Sequence, residues 1–209
     1  MTDSRDGKVY KTIVIRGRTW MAQNLNYGTR INGTLATDNQ ANDAVVEKYC
    51  YNDLETSCDK YGGLYQWAEA MALPASCNTT SCAASIATGY HQGICPTGWH
   101  VTKGSDIAQM TSNLAPGAEA YELKAGTDWS GGGIGTNSTG LTVLGAGSRK
   151  ATELGGGFFN ITSITQFWYA EEYDALGGKG ASFSTSINIG AMNGNYKSYG
   201  TSIRCVQDY

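Results

Sequence analysis

Six cysteines carry the chemistry that is easiest to read from this 209-residue sequence: Cys50, Cys58, Cys77, Cys82, Cys95 and Cys205. Two short segments, CYNDLETSC and CNTTSC, each begin and end with a cysteine and predict two small disulfide loops. Cys95 and Cys205 then remain to pair across the fold, a closure worth about 4 kcal/mol on the loop-entropy estimate. Six cysteines allow fifteen connectivities, so this pairing is an inference from proximity alone.

Zinc binding is the alternative use for these cysteines. The sequence has no C-x-x-C pair, and its two histidines, His91 and His100, lack a matching cysteine cluster. Disulfides are therefore favoured, and they predict an oxidising compartment, either extracellular or at the cell surface. The first residues contain no apolar stretch of signal-peptide length and no segment reads as a transmembrane helix, so we expect a native export signal to have been removed.

Acid–base chemistry has few candidates. Glu171, Glu172 and Asp174 could include a glycosidase carboxylate pair or a Ca²⁺ site, but acids on a predicted exposed turn are usually just solvated. His100 follows Trp99 at a predicted strand end, which favours a structural histidine. There is no G-x-S-x-G, H-E-x-x-H or phosphate-cradling motif. We therefore predict no enzyme activity, no catalytic residue, no metal and no cofactor.

Composition limits the class of protein. Hydrophobic residues make up 41% of the chain and charged residues only 16%, with a formal net charge of −3. Without a basic stripe or a Lys/Arg block, the sequence argues against nucleic-acid binding. The 28 glycines and only 3 prolines show no fixed period, which excludes collagen and disfavours low-complexity disorder. A single domain of short strands and long ordered loops fits best, with no membrane insertion by this chain.

The elements that must position these residues follow from hydrophobic spacing. The segment KVYKTIVIRGRTWMAQNL predicts a hairpin, with strands at Val9–Ile15 and through Trp20 joined by a turn at Arg16-Gly17. Helical spacing predicts a first helix with one buried face at Leu64, Trp67, Ala68 and Met71. A second helix is predicted to follow an N-cap at Ser105, with Asp106 in its first turn and a buried stripe at Ile107, Met110 and Leu114. Short strands and Gly-rich loops follow, so the fold class is α+β.

Six motifs in order give the chain a family resemblance. Six segments resemble the successive motifs of the Fibrobacter succinogenes major paralogous domain family. They are DGKVYKTIVIRGRTWMAQNLNY, CYNDLETSCDKYGGLYQWAEAM, CPTGWHV, LGAGSRKATELGGGFF, FWYAEEYD and KSYGTSIRCVQD. The second half is also similar to C-type-lectin-like domains, including variable proteins diversified by retroelements. The resemblance implies one exported bacterial C-type-lectin-like domain over 1–209, in which 1–90 is specific to the family and 91–209 is the lectin-like core. Its first and last strands would lie together, with short strands, two main helices and a loop-rich ligand-facing surface.

The chain departs from the family pattern in two places. The segment VTKGSDIAQM lacks the proline-containing helix start that is usual after GWH. Tyr169 stands where family members commonly have a small residue, and the run after it mixes Gly, Ala, Ser, Ile and Asn. The calcium-dependent sugar site of C-type lectins needs a proline-centred tripeptide, and none of LPA, CPT and APG fits it.

The altered interior, 169–199, is where we expect the ligand to bind. It is surrounded by residues that match the family, which we call the framework: Phe167, Trp168, Lys197, Ser198, Gly200, Arg204 and Cys205. The residue types of 169–199, which include Tyr, Asn, Ser, Gly, Ala and Ile, are those that retroelement diversification of asparagine codons produces. Tyr and Asn also suit a paratope. The alternative left open is an ordinary exposed Gly/Asn-rich loop.

We therefore predict an adhesin- or receptor-type domain that binds a protein or glycan on another cell or surface. The alternatives are a structural surface module without a ligand and, less favoured, a carbohydrate-active enzyme. Of the five tryptophans, Trp129 beside a Gly run is the one expected outside the core. The predicted ligand contacts are Tyr169, Glu171, Tyr173, Ser184, Ser186, Asn188, Asn193, Asn195 and Tyr196.

Overall fold

The computed structural model describes residues 1–209 and is built mainly from short strands. The strands are β1 (Thr12–Ile15), β2 (Arg18–Met21), β3 (Thr29–Ile31), β4 (Glu47–Tyr49), β5 (Trp99–Val101), β6 (Ala146–Arg149), β7 (Phe158–Ile161), β8 (Thr165–Glu172), β9 (Gly177–Phe183), β10 (Gly190–Tyr196) and β11 (Cys205–Gln207). The α-helices are α1 (Glu55–Tyr61), α2 (Trp67–Ala70), α3 (Gly104–Thr111) and α4 (Glu119–Leu123). The predicted mixture of helices and strands is confirmed. The longest helix, α3, has eight residues, and no helix is long and apolar enough to span a bilayer.

The strands form three sheets. One has four strands in the order β1-β2-β11-β5, one has five in the order β10-β9-β8-β6-β7, and β3 pairs with β4 alone. In the first sheet Val206 of β11 lies between Trp20 of β2 and His100 of β5. The first and last strands of the chain therefore belong to one sheet, as the resemblance implied.

Strand β8 separates two hydrophobic cores. Because successive side chains of a strand point to opposite faces, Trp168 and Ala170 enter one core while Phe167 enters the other. The first core also holds Trp67 of α2, and the second holds Met110 of α3. Both helices are thus fixed against the strand from which the predicted ligand surface continues.

The N-terminal hairpin is confirmed, with shorter strands than predicted. β1 begins at Thr12, and Ile15 pairs with Arg18 across a turn formed by Arg16 and Gly17. Both turn residues have positive φ, 54° and 78°, as a two-residue hairpin turn requires. Glycine supplies this conformation without steric cost.

Both predicted helices differ from expectation in their limits. Leu64 forms a bridge with Tyr49, so α2 begins only at Trp67, although the whole predicted stripe is buried. α3 begins at Gly104 rather than after Ser105, because the carboxylate of Asp106 accepts a hydrogen bond from the backbone N–H of the residue before the helix, Lys103, at 2.9 Å.

All six cysteines are paired as predicted. The bridges are Cys50–Cys58, Cys77–Cys82 and Cys95–Cys205, and no cysteine is free. The third bridge ties the segment before β5 to the first residue of β11, across 110 residues of sequence. Three disulfides indicate an oxidising environment.

Buried arginines hold the long loops in place. Arg149 donates to the backbone carbonyls of residues 33, 35 and 38, and Arg204 donates to those of Met21 and Leu141 and to Asn24 Oδ1. Buried carbonyl groups need hydrogen-bond partners, and the two guanidinium groups supply donors to these five carbonyls. Hydrogen bonds from the two guanidinium groups therefore fix these segments in place.

Candidate functional site

A buried ion pair lies at one end of the β9–β10 hairpin. Lys197, which follows β10, and Glu172, the last residue of β8, are in direct contact, with side chains 0% and 6% exposed. The Lys197 ammonium also lies within hydrogen-bond distance of the carbonyls of Cys77, Thr80 and Ala175. Glu172 accepts hydrogen bonds from Ser81 Oγ at 2.6 Å and from the Cys82 N–H at 2.8 Å. The pair thus joins the hairpin to the Cys77–Cys82 loop.

The environment of Glu172 keeps its carboxyl ionised. Burial acts to raise its pKa, but hydrogen bonds from Lys197, Ser81 and the Cys82 N–H outweigh it, so the pKa lies below the ordinary value. The ammonium of Lys197 also lies 4.6 Å from the centre of the Trp67 ring. Charge, hydrogen bonds and aromatic contact all hold these two side chains in one place.

Aromatic and apolar side chains that are exposed or half-buried surround this pair. Tyr173 directly follows Glu172 and is 56% exposed, and Tyr196 directly precedes Lys197 and is 42% exposed. The Tyr196 ring lies 6.2 Å from that of Tyr199, which lies 5.9 Å from that of Phe159. Leu176, 50% exposed, sits in the turn between β8 and β9. We call Tyr173, Leu176, Tyr196, Tyr199 and Phe159 the aromatic patch.

A bulge in β10 brings Tyr173 to the strand. The register shifts between Asn193 and Asn195, and Gly194 between them has a φ of +84°. A Cβ at Gly194 would lie 3.0 Å from Tyr173 Cδ1, so the ring packs directly over the glycine backbone. Tyr173, Asn195 and Tyr196, three of the predicted ligand contacts, are therefore neighbours.

A second group of predicted contacts lies further along the sheet. Tyr169 packs against the second core, and Glu171 Oε1 accepts a hydrogen bond from the Gly104 N–H at the start of α3. The other Glu171 oxygen lies 3.6 Å from Lys179 Nζ, and Lys179 pairs with the exposed Asn193 on β10. Burial raises the pKa of the Tyr169 hydroxyl. Tyr169 and Glu171 thus have structural partners in addition to the ligand role predicted for them.

The third group is the loop between β9 and β10, where Ser184, Ser186 and Asn188 lie. Lys124, buried beneath it, donates from Nζ to the carbonyls of Ser184 and Ser186, each at 2.9 Å. No carboxylate forms an ion pair with Lys124, and burial lowers its pKa. Both β9 and β10 have seven residues, so this loop is roughly 20 Å from the aromatic patch. The nine predicted residues are spread along β8 and the β9–β10 hairpin, and no single pocket contains them all.

The candidate acid–base groups are engaged within the fold. His100 is fully buried, with Nδ1 2.6 Å from Asp208 Oδ1 and Nε2 3.2 Å from Asp106 Oδ2, and its ring stacks on Tyr90. Arg18 completes the cluster through an ion pair with Asp106 at 2.9 Å. His100 thus makes the structural contacts that were predicted for it.

Two expectations about the surface were wrong. Glu172 was predicted to be solvated but is buried, because Lys197 supplies its counter-charge. Trp129 was predicted outside the core but is 7% exposed, and its Nε1 donates to the Val143 carbonyl at 2.9 Å. The ring belongs to the second core, which buries it although a Gly run lies beside it in sequence. No group of three or more His, Cys, Asp or Glu side chains is arranged to hold a metal ion.

Sequence reasoning missed three members of the aromatic patch, Phe159, Leu176 and Tyr199. Phe159 and Tyr199 stand inside family motifs, which suggested framework positions, and only their ring contacts reveal the patch. Leu176 lies in the altered interior, where the only usable signal was a large apolar residue in a predicted turn.

The comparison with family models agrees with the resemblance to the Fibrobacter succinogenes family. The sequence model of the Fibrobacter succinogenes major domain matches residues 13–207, which is nearly the whole chain. No curated protein and no solved structure is significantly similar to it. The match includes the first hairpin except Thr12, both cores except Tyr10, and the last strand. The chain belongs to the Fibrobacter succinogenes major domain family.

Proposed function

We propose that this chain is an exported or cell-surface ligand-binding domain whose binding surface is centred on the aromatic patch. One observation carries the proposal: Tyr173 and Tyr196 are exposed although each is bonded to a member of a buried ion pair. Exposed aromatic rings on a fixed backbone lose little conformational entropy on binding. Glu172 and Lys197 thereby preorganise the surface without contacting the ligand.

The chemistry of the patch fits a protein or glycan ligand on another cell or surface. Tyr173, Tyr196 and Tyr199 combine apolar ring faces with hydroxyl groups, and Asn195 adds an amide beside them. Tyrosine gives large rigid contact area, while asparagine gives adaptable hydrogen bonding. Contiguous exposed apolar groups of this kind mark interaction sites more often than chance positions do.

The proposal includes a C-type-lectin-like fold for the second half of the chain. It is supported by the sheet that contains β2, β11 and β5, and by the Cys95–Cys205 bridge between the segment before β5 and β11. Such a fold leaves the β8–β10 region to display variable side chains. Experimental determination of the structure, compared with C-type lectins, tests this part directly.

Diversification by a retroelement is the second part of the proposal. The framework residues are all buried, whereas Tyr173, Asn193 and Tyr196 between them are exposed and can change without disturbing the cores. Deep sequencing of the 3′ end of the gene in a growing population tests it. Substitutions confined to codons 169–199 at template adenines would support diversification, and one invariant sequence would exclude it while leaving a fixed-specificity adhesin.

Substitution of the patch tests ligand binding itself. The double variant Tyr173→Ala/Tyr196→Ala should lose binding on a glycan array or to displayed peptide libraries while its melting temperature stays nearly unchanged. Tyr209→Ala is the matched control, because Tyr209 is 74% exposed and lies outside the patch. Absence of any saturable binding by the unmodified protein would favour a structural surface module. Release of reducing sugars from the arrayed glycans would favour the enzyme alternative.

A further inference from the structure

A small cleft lies away from the β8–β10 surface, between the N-terminal segment and the end of α1. Its volume is about 140 Å³, and it is lined by Lys11, Ala22, Gln23, Asn24, Lys60, Tyr61, Thr142, Leu144 and Arg204. None of these residues belongs to the aromatic patch or to the predicted ligand contacts. The cleft is thus a separate site in the molecule.

The lining of this cleft contains three cationic side chains and no carboxylate. Lys11 and Lys60 are exposed, while Arg204 is only 1% exposed. Lys60 forms an exposed ion pair with Asp128, which is not part of the lining. The unpaired positive charges of the lining are therefore those of Lys11 and Arg204, and in a chain whose net charge is −3 they attract anions locally.

Arg204 lies at the inner side of the cleft without an acidic partner. Its guanidinium donates to the carbonyls of Met21 and Leu141, which directly precede the lining residues Ala22 and Thr142. Asn24 Oδ1 accepts from Nε and Nη2, so one N–H of Nη2 has no acceptor. Burial without a counter-charge lowers the pKa of Arg204 to about 9. A buried charge of this kind is stabilised when an anion comes close.

An adjoining hollow gives room for the rest of a ligand. It has a volume of about 200 Å³ and shares Gln23, Asn24 and Lys60 with the cleft. Lys8 in its wall is paired with Asp6, and Asp59 is the only carboxylate there. Tyr10 and Asn26 add polar groups, and Val9, Cys58 and Gly62 complete the lining. Its walls suit a neutral, hydroxylated body attached to the anionic group.

We infer that this cleft binds a small oxyanion, a carboxylate or a phosphate group, through the amines of Lys11 and Lys60 and the guanidinium of Arg204. Charge-assisted hydrogen bonds from lysine and arginine are the usual means of holding such groups. The ligand would supply the negative charge that the protein does not provide around Arg204.

Calorimetric titration with sodium phosphate, sodium acetate and sodium glucuronate, each at constant ionic strength set with chloride, tests the inference. At least one of the three should bind saturably at one site, and the preferred anion distinguishes a phosphate from a carboxylate ligand. The Lys11→Gln/Lys60→Gln variant should weaken binding roughly tenfold. Lys150→Gln, at an exposed lysine outside the cleft, should leave the affinity unchanged.

A second variant avoids any dependence on substituting Arg204, which the fold needs. Thr142 lines the cleft and has a φ of +57°, a conformation that aspartate tolerates better than most residues. Thr142→Asp should abolish anion binding while the protein stays folded by circular dichroism. Binding that survives this change, an equal loss in Lys150→Gln, or no binding beyond that of chloride would each overturn the inference.

Discussion

The two ends of the β9–β10 hairpin are each held by a buried lysine, in different ways. At the aromatic patch, Lys197 contacts the carboxylate of Glu172 and three backbone carbonyls. At the opposite loop, Lys124 contacts two backbone carbonyls and the face of Trp129 but no carboxylate. One end therefore has a neutralised charge, and the other has an unpaired one.

The ion pair should fix the Lys197 end of the hairpin more firmly than the Lys124 end. Removing one member of a buried ion pair leaves an uncompensated charge, so the Lys197 end resists change. Removing Lys124 leaves only carbonyl groups that can turn toward water. We therefore expect the aromatic patch to keep one conformation and the 184–189 loop to vary more, in sequence and in structure.

Lys197→Met should cause the largest loss. Glu172 would stay buried without its counter-charge, and the free energy of unfolding should fall by about 3–5 kcal/mol in urea denaturation. The double variant Lys197→Met/Glu172→Leu should recover part of that loss, because it removes both charges. A double variant less stable than the single one would contradict the view that an unpaired carboxylate causes the damage.

Removal of the Cys77–Cys82 bridge should affect the same end more mildly. Loop entropy predicts a cost of about 2 kcal/mol for a bridge with this sequence separation of 5. Hydrogen exchange in the Cys77→Ala/Cys82→Ala variant should rise around Tyr173 and Tyr196, because the bridged loop contacts Glu172 and Lys197. Cys50→Ala/Cys58→Ala is the control, with a similar cost and no such rise. Equal exchange around Tyr173 and Tyr196 in both variants would mean that the Cys77–Cys82 loop does not stabilise the aromatic patch.

Lys124→Met should have a smaller effect on stability, about 1 kcal/mol in thermal unfolding. Two hydrogen bonds to the carbonyls of Ser184 and Ser186 are lost, but so is the cost of burying an unpaired ammonium. Hydrogen exchange should rise in residues 184–189 and stay unchanged at Tyr196. A loss as large as that of Lys197→Met would remove the distinction between the two ends.

The pH dependence of stability should give the finest distinction between the two ends, through Glu172 at one and Lys124 at the other. The folded-state pKa of Glu172 lies below its ordinary 4.5, so its stabilisation is present above pH 4.5 and disappears as the pH falls through the folded value. The folded-state pKa of Lys124 lies below its ordinary 10.5, so the unfolded chain binds more protons between the two values and stability rises with pH there. Urea denaturation across pH should show a weaker acid decline for Glu172→Gln and a weaker alkaline rise for Lys124→Met. If the free energy of unfolding changes with pH as it does in the unmodified protein, other groups control both the acid decline and the alkaline rise.

Local features of the sequence predicted the local features of the structure. Arg16-Gly17 between two β-rich runs gave the hairpin, since the turn depends on its own two residues. The cysteine pairs at 50–58 and 77–82 are close in sequence, and only one pair then remained for Cys95 and Cys205. Ile107 and Met110 of α3 are buried as their spacing predicted, but Leu114 lies beyond the end of the helix and is only half-buried, and the first residue of the helix was also wrong.

The parts of the site that depend on long-range contacts were not predictable in this way. Glu172 and Lys197 are separated by an entire hairpin, and their contact requires the register of β8, β9 and β10. When that contact is not known, Glu172 in the segment EEYD is expected to be exposed to solvent. Trp129 was misplaced for a related reason, since Val143 and the second core enclose it from a distance in sequence. The aromatic patch depends on the bulge at Gly194, which glycine permits but does not by itself predict.

The Cys95–Cys205 bridge has a mechanical consequence. A force that pulls on residues near the two ends of the chain is transmitted from Cys205 directly to Cys95, because the covalent link bypasses the residues between them. Residues 96–204, which include the aromatic patch, therefore cannot be drawn out into an extended chain while the bridge is intact. Under such tension only residues 1–95 and 206–209 can lengthen. A ligand bound at Tyr196 would instead pull inside the closed loop, where the short segment from Tyr196 to Cys205 limits how far the chain can extend.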